Sequence, residues 1–222
     1  MALCFLSKQI GHLRSIVILI PSRDATLIAR SMIEGLCQLL WAAREPATHP
    51  LQWRAFAWVH DWRVMQAEIA QGRPVDPKRR TDIEDALQKY GDQFLTKKAR
   101  ETRKQGTPLP SDPYHDNWRC GCQLWQICES VGGAELYRIL YEPFSDWHHW
   151  GVGGLGKAIA RQENRIAYSS SSPTNAAAAL RCGFQCLLQT VKLTDRHLSL
   201  GSAAKITELR NDYIAWHEAR CN

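Results

Sequence analysis

No aliphatic run in this chain reaches the length of a membrane span. The longest, SIVILI at 15–20, falls far short of the roughly 18–20 apolar residues that a bilayer core demands. The opening MALCFLSKQIGH lacks a basic stretch, a long apolar run and a small-residue cleavage site in succession, so no secretory leader is expected. The eight cysteines contain no C-x2-C pair, and a chain with its own core does not need disulfide staples. Free thiols in a reducing, cytoplasmic setting are therefore expected, with no membrane partner. A phosphate-cradling loop and a nucleophile elbow are missing too. GVGGLGK at 151–157 has glycines, but no strand precedes it and its spacing fits neither motif, so no cofactor is expected.

What remains is a chain of 222 residues, 45% hydrophobic, enough for one sizeable core. Helical periodicity dominates. In DATLIARSMIEGLCQLLWAAREP, Ile28, Met32, Leu36 and Leu39 form an aliphatic stripe; Asp24 is placed to cap the start and Pro46 to stop the run. The tryptophan-rich HPLQWRAFAWVHDWRVMQAEIAQG follows. Next comes a long polar segment with Ile83, Leu87 and Phe94 as its sparse apolar positions, weakened by Gly91. Leu180, Phe184, Leu187 and Val191 mark the core face of a later helix, and Ile206, Leu209, Tyr213 and Trp216 that of the last. No strand and no repeat stand out. These patterns predict a single all-α domain over 1–222. Its core helices fall near 4–20, 24–43, 50–71, 80–104, 118–150, 174–193 and 202–219, with long loops near 106–118 and 165–174.

The net charge of +6 permits an anionic partner such as RNA without requiring one. Lys97, Arg100 and Lys104 recur at i, i+3, i+7, a basic helical face suited to phosphate contact or to plain solvation. Trp53, Trp58 and Trp62 offer a surface for a partner protein or a second copy.

Chemistry concentrates in YEPFSDWHHWG, 141–151. Pro143 suits the first turn of a helix and Gly151 the position after its end. Such a helix sets Ser145 and His149 one turn apart with His148 beside them. A hydroxyl and an imidazole so placed can fix a ring tautomer for proton transfer, or satisfy a buried histidine. Tyr141 joins that face only where the preceding helix runs through the proline. Arg30 and Glu34 are also one turn apart, off the aliphatic stripe and in line with Cys37 and Trp41, so this side is expected to pack against another helix.

LIARSMIEGLCQLLW, followed about a hundred residues later by YEPFSDWHHWG, resembles an uncharacterised bacterial all-helical family, the domain of unknown function 5677 type. The lysine-bearing FLSKQIGHLRSIV upstream fits the same pattern, and the resemblance covers residues 5 to 151. It implies a site of Arg30, Glu34, Tyr141, Ser145 and His149 and a setting in bacterial stress or phage-defence loci, with no activity attached.

A weaker similarity is to small helical toxin-type ribonucleases, whose motif is Arg, four to six residues, then His. RNDYIAWH supplies Arg210 and His217 on one helical face. Chance alone yields about two such pairs, and the chain has three, Arg44/His49, Arg54/His60 and Arg210/His217. A zinc site from Cys120, Cys122, Cys128, His115 and the His148/His149 pair is disfavoured, because C-x-C is not the usual knuckle and LWQIC around Cys128 looks like helix core. Two functions follow as expectations: a metal-independent ribonuclease-like effector, or a non-catalytic helical interaction module with a structural Arg/Glu/Tyr/Ser/His network.

Overall fold

A computed structural model describes residues 1–149, 151–156, 158–162 and 165–221, with side chains left out at 160–162, 165 and 216–221. The chain forms two compact units, one from Met1–Arg44 with Leu124–Asn222, the other from Glu45–Gln123. Both are helical, and the fold is all-α.

The larger unit is built on α1 (Ala2–Leu19), α2 (Ala25–Ala42) and α10 (Pro173–Leu198). The buried face of α10 is Ala176, Ala179, Cys182, Gly183, Cys186, Thr190 and Leu193, while Leu180, Phe184, Leu187 and Val191 are only half-buried. Leu188 is buried as well, but those four lose the face near Gly183 because the helices approach too closely there. A Cβ on Gly183 would lie 2.8 Å from Ile16 Cδ1 and 3.2 Å from Met32 Sδ. The buried Thr190 and Thr194 hydroxyls donate one turn back, to the Cys186 and Thr190 carbonyls, at 2.8 Å each. Gln9, buried on α1, donates to the Met32 carbonyl at 2.9 Å.

Around this core lie α6 (Leu124–Ser130), α7 (Ala134–Leu136), a π-helical turn (Tyr137–Tyr141), α8 (Glu142–His148), α9 (Val152–Gly156) and α11 (Ala203–Cys221). On α11, Ile206 is buried and Tyr213 stacks on Phe184 at 4.6 Å, but Leu209 is exposed. Trp216 lies outside the described side chains.

A two-stranded antiparallel hairpin, β1 (Ile159–Gln162) and β2 (Arg165–Tyr168), pairs Ile159 with Tyr168. It occupies part of the region expected to be loop, and four residues per strand are too few for a period-2 signal to stand out.

In the smaller unit, α3 (His49–Ala70) packs on α4 (Pro77–Tyr90) and on a 3-10 turn (Gly91–Phe94), and α5 (Lys97–Lys104) follows. The long polar segment thus breaks at Gly91, and the Thr96 side chain caps α5 by accepting from the Ala99 N–H. Val59, Met65, Ile83, Leu87 and Phe94 form the core, with Trp58 and Trp62 packed against it.

Candidate functional site

Pro143 has no N–H, so the helix before it cannot keep its α-helical ladder. The chain answers with the π turn, in which the Glu142 N–H donates to the Tyr137 carbonyl. Helical backbone therefore runs without a gap from Ala134 to His148, which swings Tyr141 against α2. Single π turns inside helices are a frequent feature of functional sites.

Arg30 Nη2 donates to the Tyr141 hydroxyl at 3.0 Å, and the guanidinium also sits 4.9 Å from the centre of that ring. Tyr137 stacks on the ring's other neighbourhood, 4.8 Å away and 16° from parallel. Tyr141 is buried, Arg30 and Glu34 half-buried. Burial raises the Tyr141 pKa above the ordinary phenol range; Arg30 opposes that rise and Glu34 adds to it. Arg30 and Glu34 form no ion pair with each other among the described residues. Glu34 accepts instead from Gln38 at 3.1 Å, and Arg30 Nε is buried with no hydrogen-bond partner.

Six residues along each helix, Trp147 Nε1 donates to Asp24 Oδ1 at 3.2 Å. Asp24 is thus a tether for α8 and not the side-chain cap expected for α2; the Ser22 hydroxyl oxygen accepts from the Asp24 N–H there. The two contacts fix α8 antiparallel to α2. They leave His149 about 12 Å along the helix axis from Tyr141, at ~1.5 Å per residue. His149 N–H closes the last turn on the Ser145 carbonyl at 2.9 Å, and no described side-chain hydrogen bond joins Ser145 to His149. Ser145 is half-buried, and His148 and His149 are exposed with ring centres 4.7 Å apart, edge to face. The structure therefore brings Arg30 and Tyr141 together, sets Glu34 beside them, and holds the imidazoles at the far end of the same helix.

A thiol cluster lies behind this site. Cys37, Cys128, Cys182 and Cys186 are buried and free. Cys37 shares a hydrogen bond with Cys128, and Cys186 with Cys182; these bonds and burial hold the Cys37 and Cys186 thiols protonated far above the usual range. Cys128 is thus committed to Cys37, and among the described residues no three His, Cys, Asp or Glu are placed to hold a metal. In the sequence, Cys37 stands out only as part of the Arg30–Glu34 line. The cluster's one prior signal was Cys182 and Cys186 at i, i+4 on a helix.

Elsewhere, Arg210 is exposed on α11, and His217 lies outside the described side chains. Lys97, Arg100 and Lys104 are all exposed on α5 of the smaller unit; Arg100 Nη2 donates to the Gln93 carbonyl at 3.1 Å.

A family model for a family of unknown function, DUF5677, matches residues 1–166, and the chain belongs to that family. The match takes in both helices of the Arg30–Tyr141 contact and the histidine pair, and stops short of α10 and of Arg210. No curated protein and no solved structure matches the chain.

Proposed function

We propose that this protein is a metal-independent ribonuclease-like effector of a bacterial stress or phage-defence system, acting in the cytoplasm. The observation that carries the reading is the pair of exposed imidazoles in contact at 4.7 Å, on the helix whose other end packs on an arginine with a buried, partnerless N–H. A neutral imidazole takes the proton of an RNA 2′-hydroxyl as it attacks the adjacent phosphorus. The partner imidazolium protonates the departing 5′-oxygen as the P–O5′ bond breaks, leaving a 2′,3′-cyclic phosphate. Arg30, oriented by Tyr141, holds a neighbouring phosphate of the strand. The Ser145 carbonyl closes the helical turn that carries His149, Glu34 stands one turn from Arg30, and Lys97, Arg100 and Lys104 attract RNA electrostatically. Trp125 and Tyr137, in the wall of a cavity of about 400 Å³, offer faces for a base to stack on.

The test is cleavage of end-labelled RNA in excess chelator, with growth arrest on expression as the cellular readout. Folded His148→Ala and His149→Ala variants are expected to lose cleavage by 100-fold or more, and His217→Ala in parallel decides whether the Arg210/His217 pair contributes. Full cleavage by the double His148/His149 variant, or no cleavage by wild type, sinks the assignment.

The second reading is a non-catalytic helical module. It is favoured by the hydrogen bond, the cation–ring contact and the ring stack that lock Arg30, Tyr141 and Tyr137 together. Arg30→Ala would then lower stability and leave no RNA phenotype to lose.

A further inference from the structure

The cavity of about 400 Å³ that holds Trp125 and Tyr137 has two walls. α6 supplies Trp125 and Glu129, four residues apart and so on one helical face. The π turn and the start of α8 supply Tyr137, Arg138 and Glu142. Tyr137 is half-buried with one side against Tyr141, whereas Trp125 is 49% exposed. The Glu129, Arg138 and Glu142 side chains are exposed and form no hydrogen bond or ion pair among the described residues. A carboxylate and a guanidinium that line one cavity without meeting leave a gap for a flat ligand to bridge. The volume lies within the roughly 300–1,000 Å³ of ordinary ligand sites.

We infer that this cavity selects guanine among the bases of an RNA strand, an assignment that deepens the ribonuclease reading and rests on it. Glu129 accepts from the N1–H and the 2-amino group, Arg138 donates to O6 and N7 on the other edge, and the base lies against Trp125 and Tyr137. Glu142 shares the wall of Arg138, which leaves Glu129 as the carboxylate across from it. Two ring contacts, at 4.9 and 4.8 Å, join Arg30 to Tyr141 and Tyr141 to Tyr137. A base on Tyr137 therefore extends the stack that begins at Arg30.

The choice of base follows from donors and acceptors. An ionised carboxylate only accepts, and guanine alone among the four RNA bases sets two donors side by side on its Watson–Crick edge. Adenine and cytosine place a ring-nitrogen lone pair beside the amino group. Uracil flanks its one N–H with two carbonyl oxygens. Each of these would turn a lone pair on a carboxylate oxygen. The guanidinium finds its pair of acceptors at O6 and N7 of guanine. Aromatic faces add affinity without choice, because every base has a face to stack.

Calorimetric titration of the full chain with the four nucleoside 3′-monophosphates tests this apart from cleavage, since their common phosphate cancels in the comparison. The guanine nucleotide is expected to bind about 10-fold more tightly than the other three, and the inosine nucleotide, which lacks the 2-amino group, to lose most of that advantage. Glu129→Gln exchanges one acceptor for a donor. It is expected to reject guanine and to prefer adenine or cytosine, whose lone pair and amino group fit an amide. That reversal of preference is a gain that a merely unfolded variant cannot give. Arg138→Met is expected to weaken guanine binding about 10-fold, and Glu142→Gln to keep the guanine preference. Equal binding of the four nucleotides overturns the inference, as does a guanine preference that survives Glu129→Gln. Tetramethylammonium bound more tightly than the guanine nucleotide also overturns it, in favour of a cation held by the rings and carboxylates. Mapping of cleavage sites separates this inference from the reading beneath it. Guanine selected by a chain that does not cleave keeps the pocket and removes the ribonuclease, while cleavage without regard to base removes the pocket alone.

Discussion

Tyr141→Phe isolates the one bond on which the Arg30 site depends. The phenyl ring keeps its place under the guanidinium at 4.9 Å and against Tyr137 at 4.8 Å; only the hydroxyl that accepts from Arg30 Nη2 at 3.0 Å is removed. A hydrogen bond to a charged group contributes about 1.5–3 kcal/mol, and the loss leaves a second guanidinium N–H without a partner. Arg30 is only half-buried, so water recovers part of this, and a destabilisation of about 1.5 kcal/mol is expected. Tyr141→Leu also removes the ring and with it the cation–ring and stacking contributions, about 1–2 kcal/mol more.

Urea unfolding followed by far-ultraviolet circular dichroism measures both. Combining Tyr141→Phe with Arg30→Met closes a double-mutant cycle, in which a coupling of about 1 kcal/mol or more is expected. A coupling under about 0.5 kcal/mol would mean that solvent serves the guanidinium as well as Tyr141 does. The bond would then neither orient Arg30 nor fix the helices, and the reasoning that makes it the centre of the site fails.

Three further outcomes follow from the same geometry. Gly183→Val puts a branched side chain where a bare Cβ already lies 2.8 Å from Ile16 Cδ1; a loss of roughly 2–3 kcal/mol in chemical unfolding is expected from overpacking, and wild-type stability would contradict the close α1–α10 approach. Stability should fall as pH rises above about 8.5, where thiols of the unfolded chain ionise. Folded Cys37 and Cys186 stay protonated there, so the native state holds more protons; a Cys37→Ala/Cys186→Ala variant should show a shallower alkaline slope in pH-dependent unfolding. On the acid side, burial lowers the His12 pKa, Lys8 adds to this, and His12 Nε2 is buried without a partner. Its contribution is present above about 6.5 and lost as pH falls through the lower folded value, so His12→Leu should flatten the stability profile below pH 6.5, and an unchanged profile would place the acid loss elsewhere.

The helices were legible because their apolar spacing is strong. Ile83, Leu87 and Phe94 are buried as their period suggests, and Gly91 marks a real break in the polar segment. Less legible was which face of a helix wins the core. On α10 the sequence shows two stripes, one of large aliphatics and one of Ala, Gly, Cys and Thr, and size favours the first. Close packing reverses that choice, since only small side chains let α1, α2 and α10 approach, and no single helix carries that information. Tyr141 was legible only as a condition on the path through Pro143. A π turn is a tertiary compromise between a missing N–H and a buried ring, so spacing in YEPFSDWHHWG could not decide it. Arg30 and Glu34 stand one turn apart in the sequence, yet Tyr141 and Gln38 take their hydrogen bonds.

Those rival partners bear on why a charged group stands at this point at all. A buried ion pair is weak evidence for stability, because desolvation consumes most of the Coulombic gain. Here not even that gain is collected: Glu34 spends its described hydrogen bond on Gln38, and Arg30 donates to the neutral Tyr141 hydroxyl while its Nε–H is buried and unpaired. Replacing both by apolar residues of similar volume would remove an unpaired donor from between two helices and two tyrosines. If stability alone governed the position, an Arg30→Met/Glu34→Leu double variant would be less stable than wild type, by about the 1.5 kcal/mol expected for losing the Tyr141 bond. Gained stability together with lost RNA cleavage would mean that the charge is kept for what it binds. Gained stability with cleavage intact would separate Arg30 from the chemistry and leave the exposed imidazoles to act alone.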